Sequence, residues 1–185
     1  MLSKISALAS VLALAATHVA GTPTLAPRSP AICYEGETPA LHCYSGGDDT
    51  PQNVDVADIQ YVATYLRRYG RKNPRKPAFY TLNAADTADC AEWSLYSRGT
   101  VLALIKHINP NVNSSVLYED IATTIDGGEK ATPAQQAASL IGCMTDGGSE
   151  GVLVNTTNPA YSTDEYKTAG YTPDGVLIKI VHSAS

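Results

Sequence analysis

A chain of 185 residues with a formal net charge of −5 is long enough for one domain with a real core, and acidic enough to exclude general binding to nucleic acid or to membrane surfaces. No stretch after the first 21 residues is long or apolar enough to span a bilayer. Four cysteines without a CxxC-like spacing argue against zinc and, in an oxidising compartment, predict two disulfides with three pairings open.

Residues 1–21 read as a secretory signal. Lys4 supplies the charge, Ile5 to Ala16 the apolar stretch, and Ala20 and Gly21 a cleavage point. The stretch is shorter than the ~20 residues of a spanning helix, which predicts a soluble, secreted, extracellular protein. Residues 22–31 are proline-rich and read as a disordered tail or a pro-segment cut near Arg28. Residues 32–185 form a single α+β domain. Asn113 and Asn155 open glycosylation sequons, usable if they lie on surface loops.

Short extended pieces at 32–34 and 41–44 flank a Gly/Pro loop and could set Cys33 opposite Cys43. Residues 45–53 are a polar loop. A helix begins near Asp55, with Val56, Ile59, Tyr61, Val62, Tyr65, Leu66 and Tyr69 on one apolar face and Gly70 as its stop. Asp55 and Asp58 in the first turn and Arg67 and Arg68 in the last suit the helix dipole.

Half of the Lys and Arg residues after the leader fall between Arg67 and Lys76: Arg67, Arg68, Arg71, Lys72, Arg75 and Lys76. A solvated helix end explains such a run. It also makes a candidate anion-binding patch, with Tyr69 among its members, for phosphate, sulfate, an acidic glycan or a lipid head group.

Residues 77–82 read as a strand and 83–89 as a loop. Asp89 to Tyr96 alternates as a strand, with Cys90, Glu92, Ser94 and Tyr96 on one face and Ala91, Trp93 and Leu95 on the other. After a turn at Ser97, Arg98 and Gly99 comes the apolar run 100–108, which completes a β-hairpin on which the rest packs. Residues 109–115 read as a turn-rich connection. Ser115 caps a helix over 116–125, and Thr132 and Pro133 start another that runs to Met144 and carries Cys143. A short strand over 151–155, an irregular tyrosine-bearing loop over 160–172 and a strong strand over 176–182 follow. The result is a mostly antiparallel sheet with two or three helices packed on one face, an α/β sandwich.

Of the histidines after the leader, His42, His107 and His182, none belongs to a metal spacing. No cofactor fingerprint, nucleophile elbow or P-loop is present, so no cofactor is expected. Glu92, presented from inside a sheet ahead of a Ser-x-Gly turn, resembles the strand that bears the general base in small secreted guanyl-type ribonucleases, over fewer than ten residues. That resemblance implies Glu92 as base, Arg98 or Lys106 on the phosphate and His107 or His182 as acid.

A second resemblance covers most of the chain after the leader. An early cysteine, a polar loop and the helix start at Asp55, Asp58 and Ile59 are followed by Cys90, Ala91, Glu92 and Trp93. Then come the helix at Tyr118 to Ile121, the glycine-flanked Cys143 and the closing strand. This order resembles the fungal Ecp2/Hce2-like secreted effectors, proposed necrosis-inducing proteins with a killer-toxin-like α/β sandwich. The chain departs from them in lacking a cysteine at the start of the first helix. The resemblance implies no catalytic residues, a non-enzymatic effector or toxin-like role on the surface of a host or competitor cell, and the pairings Cys33–Cys43 and Cys90–Cys143. The competing reading is a small ribonuclease-like hydrolase using Glu92 and a histidine.

Overall fold

The computed structural model describes residues 37–73, 76–85 and 92–184. The leader, the 22–31 segment, the extended piece at 32–34, Cys33, Arg75 and Cys90 lie outside them.

After strand β1 (His42–Cys43), the chain is extended at Asp55, whose carboxylate accepts the Ala57 N–H at 2.8 Å and so starts helix α1 (Val56–Gly70). Ile59, Val62, Ala63 and Leu66 are buried along it at three- and four-residue spacings. Strand β2 (Phe79–Leu82) follows. Then the hairpin forms from β3 (Glu92–Arg98) and β4 (Val101–His107). Its turn docks on the start of α1. The Asp55 N–H donates to Thr100 Oγ1 at 2.6 Å, and the Thr100 N–H donates to Asp58 Oδ2 at 2.9 Å. Gly99 sits in that turn at φ 50°, and a Cβ there would overlap the Asp58 carboxylate, so only glycine fits.

The expected alternation holds along β3 until Leu95. There the register slips, with Ser94 opposite Leu104 but Tyr96 opposite Ala103. The bulge turns Tyr96 away from the face of Glu92 and toward α1, where its ring stacks on Tyr65 at 3.8 Å.

Residues 113–117, expected as a connection and a helix cap, form strand β5 (Asn113–Leu117). Helix α2 (Tyr118–Asp126) begins only after it and ends at Gly127 in the left-handed conformation. The helix expected over 132–144 is shorter. It is α3 (Pro133–Ala137), with Thr132 and Gln135 as a reciprocal capping box, followed by a 3-10 segment over 140–146. Strand β6 (Gly148–Gly151) lies a few residues earlier than expected. The tyrosine-bearing region contains a 3-10 turn over 159–162, helix α4 (Asp164–Thr168) and strand β7 (Tyr171–Thr172). Strand β8 (Val176–His182) falls where the apolar run predicts.

Five strands pair antiparallel in the order β1-β6-β8-β4-β3, and a second sheet has the order β2-β5-β7, its β5–β7 pair parallel. On one face of the larger sheet Val101, Ala103, Ile105, Ile178 and Ile180 are fully buried against Ile59, Val62 and Leu66 of α1 and Ile121 and Ile125 of α2. A smaller cluster around Leu117, Tyr161 and Tyr166 packs at the second sheet. The fold is α+β with a mostly antiparallel sheet, as expected.

The cysteines depart from the expected pairing. Cys43 is bonded to Cys143, with Cα atoms 5.1 Å apart, which excludes both Cys33–Cys43 and Cys90–Cys143. The cause is topological. β1 pairs with β6, His42 opposite Ser149 and Cys43 opposite Gly148, and the 3-10 segment bearing Cys143 leads straight into β6.

Candidate functional site

Two surfaces gather the residues singled out in the sequence, one along α1 and one on the outer face of the large sheet.

Arg67 is no part of an exposed patch. It is 5% exposed, and its guanidinium forks onto Asp126 of α2 at 2.9 and 2.6 Å, clamping the two helices together. Arg71 is exposed but answered twice, by Glu119 at 2.5 Å and Glu129 at 2.9 Å, and hydrogen bonds to these two carboxylates hold its pKa above the ordinary value. Lys76 reaches Glu165 at 3.5 Å. Arg75 lies outside the described residues. Arg68 and Lys72 stand exposed and make no ion pair among the described residues. Among the described residues the patch is therefore reduced to a pair of open cations, because acidic partners from distant parts of the chain take up Arg67, Arg71 and Lys76.

What joins Arg68 and Lys72 is aromatic. Tyr61 and Tyr69 on the same side of α1 are each 46% exposed, and Tyr65 between them is nearly as open. The rings continue off the helix. Tyr65 stacks on Tyr96 of β3, Tyr61 lies 6.4 Å from the same ring, and Tyr69 meets Tyr118 of α2 at 4.7 Å, itself 5.9 Å from Tyr80 of β2. At the other end the Arg98 guanidinium lies over the Tyr61 ring, 4.6 Å from its centre, with Asp58 at 3.9 Å. Burial among these rings pushes the Tyr118 hydroxyl up to about 12, so it stays a protonated donor. Tyr80, Tyr96, Tyr118 and Arg98 were not legible as neighbours of α1. Only the bulge and the α1–α2 packing bring them there.

The second surface is the face of the large sheet turned away from the helices. Lys106 and Lys179 each interrupt an apolar strand, yet they are 2% and 4% exposed. The chain ahead of β1 reaches over them. Glu37 bonds Lys106 and reaches Lys179 at 2.7 Å, and Lys179 also donates to Glu92 at 2.8 Å. Burial would raise the Glu37 carboxyl, but the two lysines outweigh it and hold it below the usual range. Burial would likewise pull Lys179 down, and its bonds to Glu37 and Glu92 hold it above its usual value instead. A lone lysine on the non-core side of an apolar strand was the available signal for this arrangement.

A cavity of about 580 Å3 opens beside this cluster, lined by Glu37, His42, Tyr44, Asp49, Glu92 and Lys179 among others. Of the ribonuclease-like set, only Glu92 and Lys106 come together here. His107 faces the opposite side of the sheet, fully buried, with Nε2 on Ser114 Oγ at 2.9 Å, and burial pushes its pKa down. His182 also lies on that opposite side, paired with Val101 and bonded through Nδ1 to the Gln52 carbonyl at 3.0 Å. Arg98 stands six residues along β3 from Glu92, about 20 Å away at strand spacing. The histidine that shares the cavity with Glu92 is His42, held by Asp49 at 2.8 Å.

The two sequons differ. Asn113 sits within β5 and accepts the Ala84 N–H at 3.0 Å through its side chain. Asn155 is exposed in a turn, its Oδ1 accepting the Thr157 hydroxyl at 2.6 Å. Among the described residues no helix is long and apolar enough to cross a membrane, and no group of three or more His, Cys, Asp or Glu could hold a metal ion. Comparison with known proteins finds no matching family model, no similar curated protein and no similar solved structure.

Proposed function

We propose that the chain is a secreted, non-enzymatic effector or toxin-like protein of the Ecp2/Hce2 kind that acts on a host or competitor cell by binding an anionic surface component. The observation that carries this reading is the open face of α1, where exposed tyrosines stand beside Arg68 and Lys72, which make no ion pair among the described residues. Glu37 and Glu92 of the cavity are, by contrast, already neutralised by lysines. The leader-like first 21 residues and the Cys43–Cys143 bridge support an extracellular life, and Asn155 is the sequon placed to carry a sugar. The sandwich with helices on one face fits the resemblance, whereas the bridge departs from the pairing it implies.

The test is to apply the secreted, disulfide-intact protein to tissue or competitor cells beside an RNA-cleavage assay. The expected result is a cell response without cleavage, unchanged in Glu92→Gln and reduced when Arg68 and Lys72 are both reversed in charge.

A second reading draws on one observation, the shared cavity of Glu92 and His42. It is a small secreted hydrolase with Glu92 as base and His42 as acid. Cleavage abolished by Glu92→Gln and by His42→Ala, in protein that keeps its native circular dichroism, would establish it over the first.

A further inference from the structure

We infer that the tyrosine-lined face of α1 is a docking site for a polysaccharide bearing uronic-acid carboxylates, an inference that rests on the surface-binding reading above and names its ligand. Tyr61, Tyr65 and Tyr69 recur once per helical turn, and eight residues of α1 set the outer two about 12 Å apart along the axis. Off the helix they meet further rings in two groups, Tyr61 and Tyr65 against Tyr96, and Tyr69 against Tyr118, which also meets Tyr80. A ring face carries partial negative charge and a ring edge partial positive, so exposed tyrosines attract the C–H faces of pyranose rings while their hydroxyls exchange hydrogen bonds with sugar hydroxyls.

The cations set the ligand's charge. Arg68 lies on the same side of α1 as Tyr61 and Tyr65, Lys72 follows one turn later, and Arg98 sits over Tyr61 at the far end. Positive groups thus occur along the aromatic series, spaced as separate charges. Arg98 is already answered by Asp58 at 3.9 Å, so Arg68 and Lys72 are the cations left to hold one carboxylate each, the arginine with two parallel hydrogen bonds.

The rest of the molecule decides between polyanions. With a net charge of −5, the protein repels a densely charged strand such as single-stranded nucleic acid, which would otherwise suit an aromatic platform. A glycan with one carboxylate per sugar at most, and with apolar ring faces to stack, draws on short-range contacts that the net charge does not oppose. A lipid surface is disfavoured because the exposed large side chains of this face are tyrosines, with no aliphatic group to enter the acyl region.

The experiment is a calorimetric titration of the full secreted protein with an oligogalacturonate. A neutral galactan oligomer of equal length, an oligouridylate and phosphatidylserine vesicles are run alongside. The oligogalacturonate is expected to bind best and to weaken as salt is raised. Tyr61→Ala and Tyr65→Ala should each weaken it on the order of tenfold. Arg68→Glu with Lys72→Glu, neither of which breaks an ion pair among the described residues, should erase the preference over the neutral oligomer. Equal binding of the neutral oligomer, or preferential binding of the oligouridylate or the vesicles, overturns the inference. If no glycan binds but the cell response persists and is lost in Tyr61→Ala, the ligand is wrong and the surface-binding reading stands. A response indifferent to all four substitutions sinks both.

Discussion

Arg67 of α1 and Asp126 of α2 form a two-bonded ion pair that is almost completely withdrawn from water, with N–O distances of 2.9 and 2.6 Å. Asp126 also accepts from Gln60 at 3.1 Å and from the Gly128 N–H at 2.8 Å, so its remaining lone pairs are used. A buried charge left without its partner is costly, whereas an apolar pair of similar volume is not. Arg67→Ala should therefore destabilise by about 3–5 kcal/mol in urea denaturation. The double variant Arg67→Met, Asp126→Leu should lose much less than the sum of the two single changes. Additive losses would mean that the clamp is not a coupled unit.

Glu150 of β6 is the opposite case. It is 4% exposed, its Oε2 has no hydrogen-bond partner among the described residues, and the register sets it beside Ile178 on the helix-covered face. Burial alone, with no charged neighbour contributing, pushes its carboxyl up from 4.5 to about 7. Because the folded state holds this proton more tightly than the unfolded chain, the benefit is full below pH 4.5 and is lost as pH climbs to about 7. His107, pushed down by burial, works in the other direction as pH falls through the histidine range. The comparison of wild type with Glu150→Gln isolates the glutamate. The variant should gain on the order of 2–3 kcal/mol relative to wild type between pH 5 and pH 8. Parallel stability curves for the two proteins would show that Glu150 is not buried as an acid.

Cys43 and Cys143 close a loop with a sequence separation of 100. In the chain-entropy account such a bridge is worth about 4–5 kcal/mol when unstrained. Replacing both cysteines by alanine should lower the urea midpoint by a corresponding amount. Non-reducing peptide mapping should recover the Cys43 and Cys143 peptides as one species. Recovery of Cys33 joined to either of them would overturn the assignment.

Met144 follows the bridge with φ 54° and ψ −128°, a backbone conformation that side chains with a Cβ rarely adopt, and its own side chain is exposed. Strain of this kind costs ~1–3 kcal/mol, and with Met144 57% exposed little packing is lost by removing the side chain. Met144→Gly is expected to stabilise by about 1 kcal/mol after the extra entropy of glycine in the unfolded chain is counted. A lowered melting temperature would mean that Met144 holds a contact worth more than the strain.

How far the chain could be read in advance depended on how local the cause was. The bounds of helix α1 were legible because Asp55, the apolar spacing and Gly70 all act within a few residues of each other, but its expected apolar face was too wide, since Tyr61, Tyr65 and Tyr69 stay exposed beside the buried Ile59, Val62 and Leu66. Strand β8 was legible for the same reason. Strand β5 was not, because its polar residues are satisfied from far away. Ser115 bonds Thr81, Ser114 bonds the Asp174 carbonyl, and Tyr166 donates to the Ser115 carbonyl. Without those partners, Asn-Ser-Ser looks like a turn. The basic cluster failed in the same way. Its sequence neighbours gave no hint that Asp126, Glu119, Glu129 and Glu165 would divide it, nor that a bulge at Leu95 would bring Tyr96 to the tyrosines of α1.

Strand β8 is the last strand of the large sheet to leave the ribosome, and it lies at the sheet's centre, between β6 and β4. Until residues 176–182 emerge, the β3–β4 hairpin and the β1–β6 pair have no strand in common, and the core residues Val176, Ile178 and Ile180 are missing from the face that the helices cover. Synthesis and folding are thereby uncoupled. The nascent chain must wait as a set of separate pieces, and closure of the sheet around its final strand becomes a single late event dominated by contacts distant in sequence, the kind that makes folding slow.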